Sequence, residues 1–238
     1  MARDASSIID HRSSISITQS LSLSRSHPPP LSLSCHSLTT MDSVIALAGK
    51  GYVLMAADTS LARSIVIMKH DEDKILQLDS HKMMGMTGEQ GDREQFGDYV
   101  QKNLELTFYR TGHRLSTKAA SHWTRNQLAR FLRSSPYQVN LLLGGYDAST
   151  STASLYFLDY LASMHKVKFA AHGYAGYLVL GLMDKLYRDD MPLEEGLSVL
   201  RAAIAQVQRR FLVNAPNYII KIVDADGYRV LETGAAPQ

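Results

Sequence analysis

The residue types that most often bind metals or form disulfides are sparse in this chain. Cys35 is the only cysteine, which excludes both a disulfide framework and a cysteine-based zinc site. A single thiol fits a reducing compartment such as the cytosol or nucleus. The histidines beyond residue 40 show no metal-ligand spacing. They are His70, His81, His113, His122, His165 and His172. We therefore expect neither a metal nor another cofactor.

Three other features could carry chemistry, and each has a simpler structural interpretation. The methionines of Met83–Met86 are typical of an adaptable core strand rather than a copper site. His122 precedes Trp123 on a predicted helix and is expected in the core or on the surface. Arg209 and Arg210 are expected on a solvated helix edge or at a subunit contact. A net charge of +2 is too small to indicate a nucleic-acid partner or a membrane-binding face.

The first 40 residues differ in kind from the rest of the chain. Twelve of them are serine, and three prolines stand in a row at residues 28–30. Such a segment cannot bury enough apolar surface to offset its ordering entropy, so we expect residues 1–40 to be disordered. It is either an extension upstream of a start at Met41 or a transit peptide, and its two aspartates argue against the second.

From residue 41 onward, apolar runs alternate with turns in the manner of a sheet-rich domain. The predicted strands are Val44–Leu47, Tyr52–Ala57, Ile65–Met68, Ile75–Leu78, Met83–Met86, Val139–Leu143, Leu155–Leu161, Val167–Ala170, Tyr218–Val223 and Tyr228–Leu231. Glycine-containing turns at residues 49–51 and 226–227 predict hairpins at the two ends of the series.

Four helices are predicted between these strands. Their apolar spacing covers Phe96–Phe108 with an end at Gly112, a stretch from Ser116 or Thr117 to before Pro136, Tyr177–Tyr187, and a stretch from Pro192 to Phe211. The third is apolar nearly all round, which is typical of a buried helix. Strand-rich ends around two helix pairs predict an α+β fold, with two stacked antiparallel sheets covered by helices on both outer faces.

A series of short motifs runs through this domain. Its members are Gly51–Thr59, Lys74, Met86–Gly88 ahead of a helix with Asp92, Tyr137–Asp147, Gly173–Gly176 ahead of Leu182–Asp184, and Ile219–Gly227. Over about residues 41–231 the series resembles, in order and spacing, the β-type subunits of the proteasome 20S core. Three segments resemble the non-catalytic group at the fourth position of the β ring: Met41-Asp42, Glu72–Lys74 and Tyr137–Gly144.

This resemblance implies a fold, a place and a role. The fold is a four-layer αββα sandwich of the amino-terminal-nucleophile hydrolase type, with residues 41–238 as the subunit domain. The chain would contact neighbouring β subunits, the α ring and the opposing β ring in a 28-subunit hetero-oligomer. That particle degrades proteins in an ATP- and ubiquitin-dependent way in the cytoplasm and nucleus. Neither a cofactor, a nucleic acid nor a membrane is implied.

Active members of the family use a threonine at the mature N-terminus as the nucleophile. Its own α-amino group takes the proton, and no internal threonine has such a base. In those members the threonine lies about sixteen residues before the aspartate that matches Asp58. Sixteen residues before Asp58 is Asp42. A carboxylate there cannot replace the hydroxyl–amine pair, so the resemblance implies a non-catalytic subunit.

Three hydroxyl residues are the alternative nucleophiles of an active threonine peptidase. Thr40 follows Thr39 and lies eighteen residues before Asp58, which is two too many. Self-cleavage in the family also needs a glycine before the threonine, and neither threonine has one. Ser43 is one residue too close to Asp58. A third possibility is a stand-alone binding module on this fold, which native mass would distinguish because it predicts a small particle.

The remaining positions of the family's active site are partly kept and partly lost. Asp58, Lys74 and Gly88 persist, and we expect them to be a scaffold, with the aspartate and lysine forming a buried pair. Active members have a serine in the glycine-rich turn, and an aspartate and a serine later in the chain. The residues at or near those places here are Tyr174, Phe211 and Asn214.

Overall fold

The computed structural model of the chain describes residues 42–63, 66–211 and 216–235. Its strands are β1 Ser43–Gly49, β2 Tyr52–Asp58, β3 Leu61–Arg63, β4 Val66–Lys69, β5 Ile75–Asp79, β6 Lys82–Gly88, β7 Val139–Asp147, β8 Thr152–Leu158, β9 Met164–Val167, β10 Phe169–Gly173, β11 Asn217–Asp224 and β12 Gly227–Ala235. Its helices are α1 Gln90–Thr111, α2 Thr117–Phe131, α3 Tyr174–Leu186 and α4 Leu193–Arg210. The expectations for residues 1–40 and for Asn214 lie outside the described residues.

The strands form two five-stranded antiparallel sheets and a small hairpin. The first sheet has the order β10-β1-β2-β11-β12, and the second has the order β5-β6-β7-β8-β9. Strands β3 and β4 pair only with each other. Each sheet therefore consists of antiparallel pairs, and the first joins strands from both ends of the domain.

Side chains alternate along each strand and so build three hydrophobic clusters. In β2, Leu54 and Ala56 pack in the cluster that includes α3 and α4. The intervening residues Val53, Met55 and Ala57 pack in a second cluster between the two sheets. A third cluster joins the second sheet to α1 and α2. The period-two pattern thus separates four layers, and it confirms the predicted α+β, four-layer αββα sandwich.

The predicted end of α1 and the predicted starts of α2 and α4 are confirmed, and local chemistry explains them, whereas α1 and α3 begin earlier than predicted, at Gln90 and Tyr174. Gly112 ends α1 in the left-handed region, with φ of 72°, and its N–H donates to the carbonyl of Phe108. The hydroxyl of Ser116 accepts from the N–H of Ala119 and so caps the start of α2. Pro192 directly precedes α4, where the lack of an N–H is harmless.

Three sequence predictions were wrong in detail. The predicted strand Val167–Ala170 is two strands that belong to different sheets and are separated at Lys168. The strand predicted to reach Leu161 ends at Leu158, because the chain turns there with Ala162 at φ of 61°. Helix α3 is not buried all round, since Tyr177 is 89% exposed in the single chain.

Whether a helix can cross a membrane depends on its length and its hydropathy. Within residues 42–63, 66–211 and 216–235, no helix is long and apolar enough to cross a membrane.

Candidate functional site

Asp42, directly before β1, lies at the centre of a buried group of charges. Its Oδ1 is 2.7 Å from the Nζ of Lys74. Its Oδ2 accepts from the backbone N–H of Gly88 at 3.3 Å and lies 3.4 Å from Nη1 of Arg93. Both oxygens of this carboxylate therefore have cationic or N–H partners, and the residue is almost wholly removed from solvent.

Lys74 joins two carboxylates, Asp42 directly before β1 and Asp58 at the end of β2, the strand that pairs with β1. It stands just before β5 and its side chain is completely buried. Besides Asp42, its Nζ contacts Oδ2 of Asp58 at 2.8 Å and the carbonyl of Ser60 at 2.8 Å. An ammonium has three protons to donate, and three acceptors are in place. The geometry therefore accounts for every donor of this buried cation.

Asp58 ends β2 and faces the start of β1. Its Oδ1 accepts from the backbone N–H of Ser43 at 2.7 Å, and its Oδ2 accepts from Lys74. Burial raises the pKa of the Asp58 carboxyl, and the nearby Asp42 carboxylate acts in the same direction. The ammonium of Lys74 and the N–H of Ser43 act to lower it. Asp58 thus connects the lysine to the backbone next to Asp42.

Arg93, in the first turn of α1, was not predicted as a site residue. It is buried, and its Nη2 donates to Oε1 of Glu72 at 2.8 Å while Nη1 lies near Asp42. With Asp42, Asp58 and Lys74, these two residues make a group of three carboxylates and two cations. A charged residue on a helix is usually expected at the surface. Arg93 is buried because α1 packs on the second sheet.

Gly88 ends β6 in a conformation that an L side chain rarely adopts. Its φ is 135°, and a Cβ built there would lie 2.0 Å from the carbonyl oxygen of Gln138. The backbone therefore comes close enough to Asp42 for the Gly88 N–H to reach its carboxylate. Any larger residue would move this donor or the facing strand.

The glycine-rich turn before α3 holds the backbone of Asp42 from the other side. Gly173 has a φ of 72°, and a Cβ there would lie 1.9 Å from the carbonyl oxygen of Asp42. The N–H of Tyr174 donates to that same oxygen at 3.2 Å. The backbone of Asp42 is thus fixed as closely as its side chain.

Two of the positions expected to have lost catalytic groups lie together. The rings of Tyr174 and Phe211 have centroids 5.0 Å apart and are tilted by 37°. Their contact is therefore a tilted aromatic pair. Asn214, the third such position, and the candidate nucleophiles Thr39 and Thr40 lie outside the described residues. Ser43 is buried in β1 next to Asp42.

The histidines and acidic residues do not form a metal site within the described part of the chain. No group of three or more metal-ligating side chains is found there. His172 is buried instead, and its Nε2–H donates to the carbonyl of Leu141 at 3.1 Å while its ring stacks on Phe157. Burial lowers the pKa of His172 to about 4. This neutral ring links the first sheet to the second.

Comparison with known proteins points to one family. The family described as proteasome subunit matches residues 39–223. Proteasome subunit beta type-2-A of Arabidopsis thaliana is 49% identical over 79% of this chain and 92% of its own length. Proteasome subunit beta type-2 of Dictyostelium discoideum is 44% identical over 82% of this chain and 99% of its own. Proteasome subunit beta type-4 of Saccharomyces cerevisiae is 38% identical over 81% and 98%.

The family match runs from before β1 into β11, and the three relatives are matched over 92%, 99% and 98% of their own lengths. The family match also includes Asp42, Asp58, Lys74 and Gly88, which the structure brings together. The chain therefore belongs to the proteasome subunit family, as a β-type subunit similar to the type-2 group.

Proposed function

We propose that this chain is a non-catalytic, structural β subunit of the 20S proteasome core. It contributes one place in the β ring and no peptidase activity of its own. Protein degradation by the particle then depends on other β subunits. As a catalyst the chain would need a hydroxyl nucleophile next to a free α-amino group, because that amine is the base.

The observation that carries the proposal is the environment of Asp42. A carboxylate stands sixteen residues before Asp58, where the resemblance places the threonine of active members. Its two oxygens are bound by Lys74, Gly88 and Arg93. A carboxylate held by cations and an N–H is a poorer nucleophile than a free one. It also fills the space around the N–H that would stabilise an oxyanion.

The aromatic contact between Tyr174 and Phe211 supports the same proposal. In active members a serine and an aspartate at or near these places would assist the threonine. Here Tyr174 has a phenol in place of the serine hydroxyl, and Phe211 has a hydrocarbon ring in place of the carboxylate. Asp58 and Lys74 then persist as scaffold, because removing Lys74 would leave the buried Asp58 carboxylate without its cation. Gly88 persists because its backbone conformation and the nearby Gln138 carbonyl leave no room for a side chain.

The proposed place in the particle follows from the family and from the names of the relatives. The chain would contact neighbouring β subunits, the α ring and the opposing β ring of a 28-subunit particle in the cytoplasm and nucleus. We propose that the subunit domain begins at residue 41, close to the start of the family match at residue 39. Residues 1–40 then lie outside that domain.

The N-terminus of the chain in purified particles tests this proposal. Peptide mapping should find no chain that begins at Thr39, Thr40 or Ser43, because no glycine precedes them. The catalytic β subunits of the same particles are the matched control, and their mature termini should begin with threonine. A chain of this protein that begins at one of the three hydroxyl residues would contradict the proposal. Native mass of a small particle would instead favour a stand-alone module.

A further inference from the structure

The three donors around Asp42 form a site with the shape and charge of a carboxylate receptor. Lys74 binds one oxygen, while Gly88 and Arg93 bind the other. Here we name Lys74, Gly88 and Arg93 the carboxylate site. The lysine and arginine are both almost fully buried, so their interactions with the anion are not screened by bulk water.

We propose that the carboxylate site is an anion-binding site that the chain fills with its own Asp42 side chain. Without this internal ligand, the site would take a small planar monocarboxylate such as formate or acetate. Asp42 therefore acts as a tethered ligand that keeps the space at the Gly88 N–H closed to free carboxylates. Tethering raises the effective concentration of the bound group far above that of a free anion.

The contacts of the donors explain why another anion should enter. If the Asp42 side chain is removed, Lys74 keeps Asp58 and Ser60 as acceptors but loses a third, and Arg93 keeps only Glu72. The Gly88 N–H loses the carboxylate that accepts from it. Donors left without an acceptor in a buried space are costly, and an anion that restores the acceptors relieves that cost.

Charge and donor geometry together distinguish a carboxylate from other occupants. Asp42, Asp58 and Glu72 carry three negative charges, and Lys74 and Arg93 carry two positive charges. Removal of Asp42 leaves two of each sign, so net charge alone favours neither ion, whereas the donors of Lys74, Gly88 and Arg93 that face the vacated space favour an anion. A monoanion with two coplanar oxygens restores the original charge and both sets of contacts. Chloride restores the charge but cannot bridge Lys74 on one side and Gly88 on the other in the same way.

Chemical rescue of an Asp42→Ala variant tests this inference. The full-length variant should melt at a lower temperature than the parent at pH 7. Sodium formate or acetate should raise its melting temperature by about 4 °C or more, with saturation, compared with sodium chloride of equal ionic strength. Asp42→Asn is the matched control. Because the asparagine amide fills the space, the melting temperature of this variant should show no such gain. Leu104→Ala opens an apolar cavity between α1 and the second sheet, and this variant should also show no gain from formate or acetate.

Each result of the rescue experiment either supports or overturns the inference. A folded Asp42→Ala chain that gains no more from formate than the parent does would overturn the inference, as would equal gains in Asp42→Asn. If Asp42→Ala fails to fold in chloride, formate should restore its refolding yield, and no restoration would also overturn it. The inference rests on the proposed place of Asp42. Rescue is measured on the variant, whereas N-terminal mapping is done on the parent, so the two can fail separately.

Discussion

At the scale of single residues, the buried charges decide what the site can do. Lys74 is shared by Asp42 and Asp58, and each of these carboxylates also accepts from a backbone N–H. In an active relative the place of Asp42 would hold a neutral hydroxyl. The additional carboxylate here is matched by Arg93, which links it to Glu72. At the place where we propose that the nucleophile is absent, the structure has ion pairs from Asp42 to Lys74 and Arg93.

Asp58→Ala should lower the free energy of unfolding by about 3 kcal/mol, because it leaves the buried Lys74 with one carboxylate instead of two. Chemical denaturation of the full-length chain measures this. Asp71→Ala is the matched control, since Asp71 is an exposed carboxylate and its removal should change stability by less than about 0.5 kcal/mol. If Asp58→Ala lowers the free energy of unfolding no more than Asp71→Ala does, the Asp58–Lys74 pair contributes nothing to stability.

His172 should make the chain less stable in acid. Its pKa is about 4 when folded and 6.5 ordinarily, so the unfolded chain binds the proton more readily. The stability contributed by the neutral ring is present above pH 6.5. It is lost as pH falls towards 4, by about 3 kcal/mol in total. His172→Gln keeps a donor for Leu141 without titrating, so its stability should depend less on pH between 7 and 4. Identical pH profiles would contradict this.

Part of the site could be predicted from the sequence, and part depends on tertiary packing. Asp58, Lys74 and Gly88 were predicted as site residues from the motifs that resemble those of the family. Arg93 was missed, because its burial depends on where α1 lies on the second sheet. The contact of Tyr174 with Phe211 joins residues that are far apart in sequence. Each position was identified separately, but nothing local indicates that the two rings meet.

At the scale of secondary-structure elements, the helix ends that carry a capping signal were predictable, and the break between β9 and β10 was not. Gly112, Ser116 and Pro192 carry local signals that act within one turn. Lys168, by contrast, stands in an apolar run that reads as one strand. The chain leaves the second sheet there and enters the first, where Phe169 pairs with Leu47 of β1. That change depends on which partners are available.

Gly88→Ala should destabilise the junction of β6 and α1 by about 2 kcal/mol, since its φ is 135° and its Cβ would meet Gln138. Gly91→Ala is the matched control in the first turn of α1. No atom lies close to that position, so alanine should be neutral or stabilise the helix by up to about 1 kcal/mol. Thermal unfolding of both variants checks the prediction, and a harmless Gly88→Ala would refute it.

At the scale of the whole molecule, an apolar face of α3 remains open in the single chain. Tyr177 and Leu180 are exposed there, although the helix is mostly apolar. Exposed apolar faces of this kind commonly mark protein–protein contacts. The sequence predicted this helix to be buried, and membership of the proteasome complex gives a reason for its composition. We expect the face to be covered by another subunit in the particle.

Tyr177→Ser combined with Leu180→Ser should therefore reduce incorporation of the chain into particles several-fold, while its melting temperature stays within about 2 °C of the parent. Quantitative mass spectrometry of purified particles measures incorporation. Val179→Ser, which alters the buried side of the same helix, should instead lower the melting temperature. Normal incorporation of the double variant would exclude this face as a contact.

The most direct test of the central claim is subunit-resolved labelling of particles that contain this chain. A threonine-reactive covalent inhibitor is applied to the purified particle, and every subunit is then examined by mass spectrometry. A chain without a processed hydroxyl terminus has no nucleophile and adjacent base to react. We predict adducts on other β subunits and none on this chain. An adduct on Thr39, Thr40 or Ser43 would contradict the account.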